Sequence, residues 1–357
     1  MKSLRSVRSA VSVIICFALF CTLCSTWALL YQRVPDRGTT PPQSLGIATA
    51  CKTTTTPYAS LEDPTNITLG NPSPSSRTIP SKVWHSAPQA NITENQREWT
   101  SSWTTTNPSF RQELLTDQSG STFVREHFSS TRPDIVEVYE AIAIPILKAD
   151  LLRYLIILAE GGVWSDLDVT CEKQIADWVP AEYQDHEIDM VVGLEFDLQW
   201  TAPGTHIFSQ FSNWVFMARP SSRNLLVVVE AVIEKLREMT TTLGVGIEDL
   251  TLDLLYEDVV DTTGPKIMTV AILKGLGQLL GTVVDDRDFA GIKKPKLIGD
   301  VLIMPGNSFA ARQNGFPVDQ SEVLVTHHYE GSWKKADAEA KERKLQKTEK
   351  LQQDQTG

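Results

Sequence analysis

The stretch LKADLLRYLIILAEGGVWSDLDV, residues 147–169, decides the fold class. Leu147, Leu151, Leu155 and Leu158 recur at spacings of four, four and three, which draws one apolar stripe along a helix. Gly161 and Gly162 follow, where a helix ends because glycine takes the left-handed conformation without a steric penalty. VWSDLDV then alternates like a short strand, with Val163, Leu167 and Val169 on one face and Trp164, Asp166 and Asp168 on the other. Two carboxylates thus stand side by side at the end of a strand apolar enough to be buried.

Adjacent carboxylates repel unless something positive neutralises them. The pair reads either as a solvated turn or as ligands of a hard divalent cation bridging to phosphate oxygens. Asp150 and Arg153 lie one helical turn apart on the polar side of the helix that feeds this strand. A carboxylate, a guanidinium and an acidic pair therefore converge near one strand end, where open α/β sheets bind ligands.

Lys-x-Asp-x-x-Arg-Tyr (148–154), a Gly-Gly helix end and Ser-Asp-x-Asp (165–168) together resemble the DxD sugar transferases of the GT-A fold. The pattern is most similar to the family of fungal initiation-specific α-1,6-mannosyltransferases and related inositol-phosphoceramide mannosyltransferases. The spacing from Asp150 to Asp166 also fits glucosylating bacterial toxins that share this core. The resemblance covers residues 79–334. It implies an α/β fold of the GT-A type, a twisted, mostly parallel sheet flanked by helices on both faces, in a single catalytic domain.

The same resemblance implies site roles. Asp166 and Asp168 would hold Mn²⁺ or Mg²⁺, and Asp150 and Arg153 would hold the donor sugar or ribose. IPSKVWHSA (79–87) looks like the family's first strand, which makes His85 a candidate nucleotide contact; a lone histidine there reads equally as structural. Thr263 and Gly264 resemble a Thr-Gly-Pro turn on the acceptor side, though Gly-Pro is also an ordinary helix start. In EVLVTHHYEGSWK (322–334), alternation sends His327 and His328 to opposite faces, so one of them joins the acidic pair. The family's His-aromatic-x-Gly pattern, with a lysine six residues on, selects His328 as metal ligand and Lys334 for the diphosphate. The other reading is a core His-His pair beside Trp333. An imidazole beside two carboxylates suits Mn²⁺ better than Ca²⁺.

Glu195 and Asp197 close the strand EIDMVVGLEFD (187–197) and are acceptor-side candidates from the residues alone; each also reads as an exposed edge charge. SSRNLLVVVEAVIEKLREM is an amphipathic helix capped by Ser221 or Ser222. Trp103 reads as core.

The 357 residues are 41% hydrophobic, enough for one large core, and the formal net charge of −11 argues against nucleic acid as a partner. Val11–Tyr31 is an uncharged apolar run of 21 residues, and Lys2, Arg5 and Arg8 before it place the N-terminus in the cytosol. A cleaved signal peptide ending near Ser25 is the alternative to an uncleaved anchor. The expected organisation is a cytosolic tail (1–10), a transmembrane anchor (11–31), a Ser/Thr/Pro-rich stem (32–78), the catalytic domain (79–334) and a charged tail (335–357). Asn66 and Asn91 head N-glycosylation sequons, which suit a luminal domain. Cys51 and Cys171 either pair or remain free thiols.

With this organisation, the resemblance implies a type II Golgi membrane enzyme that moves mannose from GDP-mannose to N-linked glycans with retention of configuration. A glycan or glycoprotein acceptor and a complex with other Golgi transferases would be its partners. The alternatives are a related hexosyltransferase with another donor or a sphingolipid acceptor, and a catalytically silent luminal scaffold.

Overall fold

A computed structural model of the chain describes residues 78–197, 207–255, 258–311, 321–331, 334, 337–343 and 346. The expected cytosolic tail, membrane anchor and stem, with Cys51 and Asn66, lie outside the described residues, as do Trp333 and most of the charged tail. Among the described residues no helix is long and apolar enough to cross a membrane.

In chain order, β1 (Lys82–Ala87) is followed by α1 (Glu94–Thr106), β2 (Arg111–Thr116), α2 (Asp117–Phe128), α3 (Pro133–Ala141) and α4 (Pro145–Glu160). Then come β3 (Gly162–Ser165), β4 (Val169–Cys171), β5 (Met190–Asp197), β6 (Ser209–Phe211) and β7 (Val215–Ala218). The remainder is α5 (Arg223–Leu243), α6 (Val259–Thr262), α7 (Pro265–Leu280), β8 (Lys296–Ile298), β9 (Val301–Met304), α8 (Gly306–Ala310) and β10 (Val325–His327).

The predicted helix is α4, and Pro145 sits in its first turn, where a missing N–H leaves no bond unmade. Its stripe of leucines is buried together with Tyr154, Ile156 and Ile157. Gly161 ends the helix at φ 66° and ψ −173°, an extended positive-φ conformation rather than the left-handed helical one expected. A Cβ at Gly161 would lie 2.7 Å from the Pro220 nitrogen and 2.8 Å from Pro80 Cδ. Gly161→Ala is therefore expected to destabilise the fold by about 2–3 kcal/mol, read from the denaturant midpoint. Among the other helices, Thr93 and Thr116 close capping boxes on α1 and α2, and Ser222 caps α5.

VWSDLDV is not one strand. β3 stops at Ser165, and Asp166, Leu167 and Asp168 form a turn that carries the chain into β4, which pairs with β10 in a separate two-stranded sheet. The Asp166 N–H still donates to the Trp214 carbonyl at 2.9 Å, in register with the β3–β7 pairing, and the chain then turns toward β10.

The main sheet runs β2-β1-β3-β7-β5-β9-β8, with β6 on β5. β1 is parallel to β2 and β3, and β5 is parallel to β9; β7 lies antiparallel between β3 and β5. β2, β1, β3, β5 and β9 consequently point one way, against β6, β7 and β8. This is the expected mixed sheet with flanking helices. Alternate residues feed two cores. Trp84, Trp164, Met190 and Val192 pack with α2–α5 and α7, while Val83, Val163, Val191 and Leu302 pack with Trp103, Phe309 and Val325. The parallel arrangement brings Ser165, Glu195 and the β9–α8 turn to one edge of the sheet.

Candidate active site

Four elements converge on the turn after β3. From α4 comes Asp150, 3% exposed, and Arg153, 5% exposed. Arg153 reaches two carboxylates: its Nη1 contacts Asp150 Oδ1, and its Nη2 stands 3.3 Å from Asp166 Oδ1. Asp150 also accepts from Asn213 Nδ2 at 3.2 Å and from the Thr263 hydroxyl at 2.8 Å. Tyr154 binds the same corner, donating to the Thr263 carbonyl at 3.0 Å. Burial pushes the Asp150 carboxyl above the usual carboxylate range, against the pull of Arg153. Burial also opposes the Arg153 charge, but Asp166 and Asp150 outweigh it and hold the guanidinium above its ordinary value.

The two acids of the pair differ in their surroundings. Asp166 accepts from Trp164 Nε1 at 2.8 Å, and burial raises its carboxyl to about 6, with Arg153 opposing and Asp168 adding to the shift. Asp168 Oδ1 lies 3.3 Å from His327 Nε2, and Oδ2 accepts the Glu330 N–H at 2.9 Å. Burial works against the Asp168 charge, yet the His327 contact and the Glu330 N–H more than offset it and hold the group below the usual range.

The structure brings His327, not His328, to the acidic pair. The two rings do face opposite ways. His327 stacks on Trp214 with centroids 4.5 Å apart, and Tyr329 meets it edge-on at 3.9 Å. His328 stacks on Trp99 at 4.2 Å, and its Nε2 is 2.8 Å from the Thr170 hydroxyl. The geometry therefore sets the His327 ring, at the end of β10, beside Asp168, and the His328 ring against Trp99.

Four further expected site residues are engaged elsewhere. His85 is 1% exposed; its Nδ1 donates to the Ser165 carbonyl at 2.7 Å, which leaves Nε2 to accept from Gln112 at 2.9 Å. No ring nitrogen remains for a nucleotide, and the ring instead fixes the residue before Asp166. Thr263 and Gly264 are buried; the Thr263 hydroxyl holds Asp150, and both carbonyls accept from the Tyr154 hydroxyl. Asp197 accepts from the Ser209 hydroxyl at 2.5 Å and from the Gly291 N–H at 2.6 Å, which ties β5 to its neighbours. Glu195 does turn toward the site, where the charges of His327 and Lys334 act on it. Lys334 is exposed, with its ammonium 5.7 Å from the Tyr329 ring centre. Cys171 is buried, with its thiol pushed up to about 11 by burial.

Burial lowers the His85 pKa to about 4. The unfolded chain, near 6.5, takes up that proton first, so the folded state is favoured fully only above about 6.5. Stability is expected to fall by on the order of 3 kcal/mol between about pH 6.5 and 4, as seen in denaturant midpoints, with a shallower fall in His85→Gln.

Asn213, Trp214 and Gln210 escaped sequence reasoning. They lie on or just beyond the short strand β6, outside any local motif, and only their contacts with Asp150, His327 and Glu195 reveal them.

A divalent cation fits the donor set in part. Asp166, Asp168 and His327 offer hard oxygens and one imidazole, and among the described residues Arg153 Nε and His327 Nδ1 are buried without a hydrogen-bond partner. Among the described residues no group of three or more His, Cys, Asp or Glu side chains is placed to hold a metal ion by itself. Substrate oxygens and water would have to complete the coordination.

An acidic turn thus stands beside an arginine and a histidine at the carboxyl edge of a mixed sheet. Residues 93–185, which carry Asp150, Arg153, Asp166 and Asp168, match the family model described as a glycosyltransferase sugar-binding region containing a DXD motif. The initiation-specific alpha-1,6-mannosyltransferase of Schizosaccharomyces pombe is 28% identical over 262 residues, covering 72% of this chain and 64% of that relative. The chain thus spans less than two thirds of that relative's length. The initiation-specific alpha-1,6-mannosyltransferase of Candida albicans is 24% identical over 294 residues, 72% of this chain and 73% of that one. Among solved structures, the PaToxG glycosyltransferase matches 57% of this chain and 73% of its own at 15% identity and a TM-score of 0.36, too distant to bear on the fold.

Proposed function

We propose that this protein is a membrane-anchored luminal glycosyltransferase of the GT-A type. It moves mannose from GDP-mannose to a hydroxyl of an N-linked glycan, with retention of configuration. The observation that carries the reading is the acidic pair Asp166/Asp168 bracketed by Arg153 on one side and His327 on the other. The names of the two fungal relatives support mannose as the sugar, and the apolar run Val11–Tyr31 supports the anchor.

Asp168 and His327, with Asp166 directly or through water, would hold Mn²⁺ or Mg²⁺. Such a cation, when bound, supplies Lewis-acid neutralisation of the diphosphate. Arg153 orients the donor, because its guanidinium is fixed between two carboxylates and keeps a buried Nε unpaired. Asp150 holds Arg153 rather than meeting substrate, since Asn213 and Thr263 already occupy it. Lys334 adds positive charge near the departing diphosphate.

The test is transfer by the full-length protein, given GDP-mannose, Mn²⁺ and a high-mannose N-glycan. One added hexose, removed by an α-1,6-specific mannosidase, is the expected product. Transfer from UDP-sugars only, or to ceramide-linked acceptors only, would replace this reading with one of a related hexosyltransferase.

A further inference from the structure

The pairing of β5 with β6 is irregular at one residue. Leu194 faces Phe211 and Phe196 faces Gln210, so two steps along β5 match one along β6. Glu195 is the extra residue of a β-bulge at the carboxyl end of a strand that is otherwise regular and buried. Bulges of this kind re-aim a side chain and are over-represented beside active sites.

The aim is defined by what surrounds Glu195. Val191 and Gly193, just before the bulge, lie on the face of β5 that packs against α8, Trp214 and β10, so the strand delivers Glu195 at the end of that cluster. Gln210, 4% exposed, donates to Glu195 Oε2 at 2.7 Å and clamps the carboxylate. His327 and Lys334 lie near enough for their charges to act on it, and it acts in turn on Tyr329. Tyr329 itself adopts φ 55°, a conformation rare outside glycine and asparagine. Asp197, two residues on, is turned away and fixed by Ser209 and Gly291.

These neighbours identify the substrate atoms that Glu195 meets. His327 belongs to the cation side of the leaving group, and Lys334 carries charge for the diphosphate. A carboxylate within electrostatic reach of both, near the carboxyl end of β5 and outside the Asp166/Asp168 turn, is placed to meet the donor where diphosphate joins sugar. We propose that Glu195 is the catalytic carboxylate that faces the donor sugar and stabilises positive charge on its anomeric carbon. This rests on the glycosyltransferase reading above. In the step it serves, the bond between the anomeric carbon and the diphosphate oxygen breaks, and its electron pair leaves with the diphosphate. The acceptor hydroxyl oxygen forms the new bond, and its proton passes to the departing diphosphate. Glu195 remains a carboxylate throughout, and Gln210 is its positioning residue.

The experiment uses the full-length protein and two variants, Glu195→Gln and Gln210→Ala. GDP binding with Mn²⁺ is measured by calorimetry, and transfer from GDP-mannose by product formation. Glu195→Gln is expected to bind GDP within about threefold of wild type while kcat falls about 10²-fold, as for loss of a preorganised transition-state charge. Gln210→Ala should lower kcat about tenfold with GDP affinity unchanged, because a loosened catalytic group loses rate before binding. A kcat within threefold of wild type in both variants would overturn the proposal. So would loss of Mn²⁺-dependent GDP binding in Glu195→Gln, which would make the residue a metal ligand. A wild type that neither binds nor transfers overturns the transferase reading and this inference together, whereas a competent wild type with unaffected variants overturns the inference alone.

Discussion

Asp168→Asn is expected to lower sugar transfer about 10³-fold and to abolish Mn²⁺-dependent binding of the nucleotide, with little change in fold. The substitution keeps the shape of the side chain and removes its charge. Asp168 is held ionised against its burial by His327 and the Glu330 N–H, which marks it as the carboxylate of the pair with most negative charge to offer. Asn retains one acceptor oxygen for the turn, so the unfolding midpoint controls for a merely structural effect. The companion comparison is His327→Ala against His328→Ala. Removing His327 should weaken Mn²⁺-dependent GDP binding by more than the 10–100-fold typical of an outer-shell partner. Removing His328, which lies against Trp99 and Thr170, should leave it within about threefold. The reverse order would restore the ligand choice that the His-aromatic-x-Gly spacing implied.

The largest effect on stability is expected from Asp150→Ala. Arg153 is 5% exposed and reaches Asp150 and Asp166 with one guanidinium. Without Asp150 the buried cation keeps one partly exposed carboxylate, and Asn213 and Thr263 lose their acceptor. Breaking a buried ion pair by deleting one partner costs about 3–5 kcal/mol, because the remaining charge is left dehydrated and underpaired. Denaturant unfolding measures this directly. Asp150→Asn should recover part of the loss, since the amide still accepts from Thr263. A loss below about 1 kcal/mol in Asp150→Ala would mean that water enters the corner, which would leave Asp150 accessible to substrate.

Much of this architecture is legible in the sequence where the signals are local. The leucine spacing over 147–158, Pro145 and Gly161 place α4 almost to the residue, and Ser222 marks the start of α5. The motif Asp150, Arg153, Asp166, Asp168 is brought together as its spacing suggests. What the pattern hides is long-range. VWSDLDV alternates without a break, yet the strand ends at Ser165 and the chain turns to pair Val169–Cys171 with β10, far along the sequence. His327 and His328 were separable by face but not by role, because Trp214 and Trp99 decide which ring meets Asp168. His85 looked accessible at a strand end, and only the packing of Gln112 and Trp103 around it shows a satisfied core histidine. Glu195 and Asp197 stand two residues apart with the same chemistry; a bulge, invisible in the sequence, sends one toward the site and leaves the other on Ser209.

The central claim is that the turn after β3 is a cation-dependent nucleotide-sugar site. Calorimetric titration of the full-length protein with GDP, with and without Mn²⁺ and with UDP alongside, tests it most directly. The account predicts binding of GDP that requires Mn²⁺ and exceeds that of UDP. Binding of GDP that is indifferent to Mn²⁺, or binding of neither nucleotide by the folded protein, would contradict it.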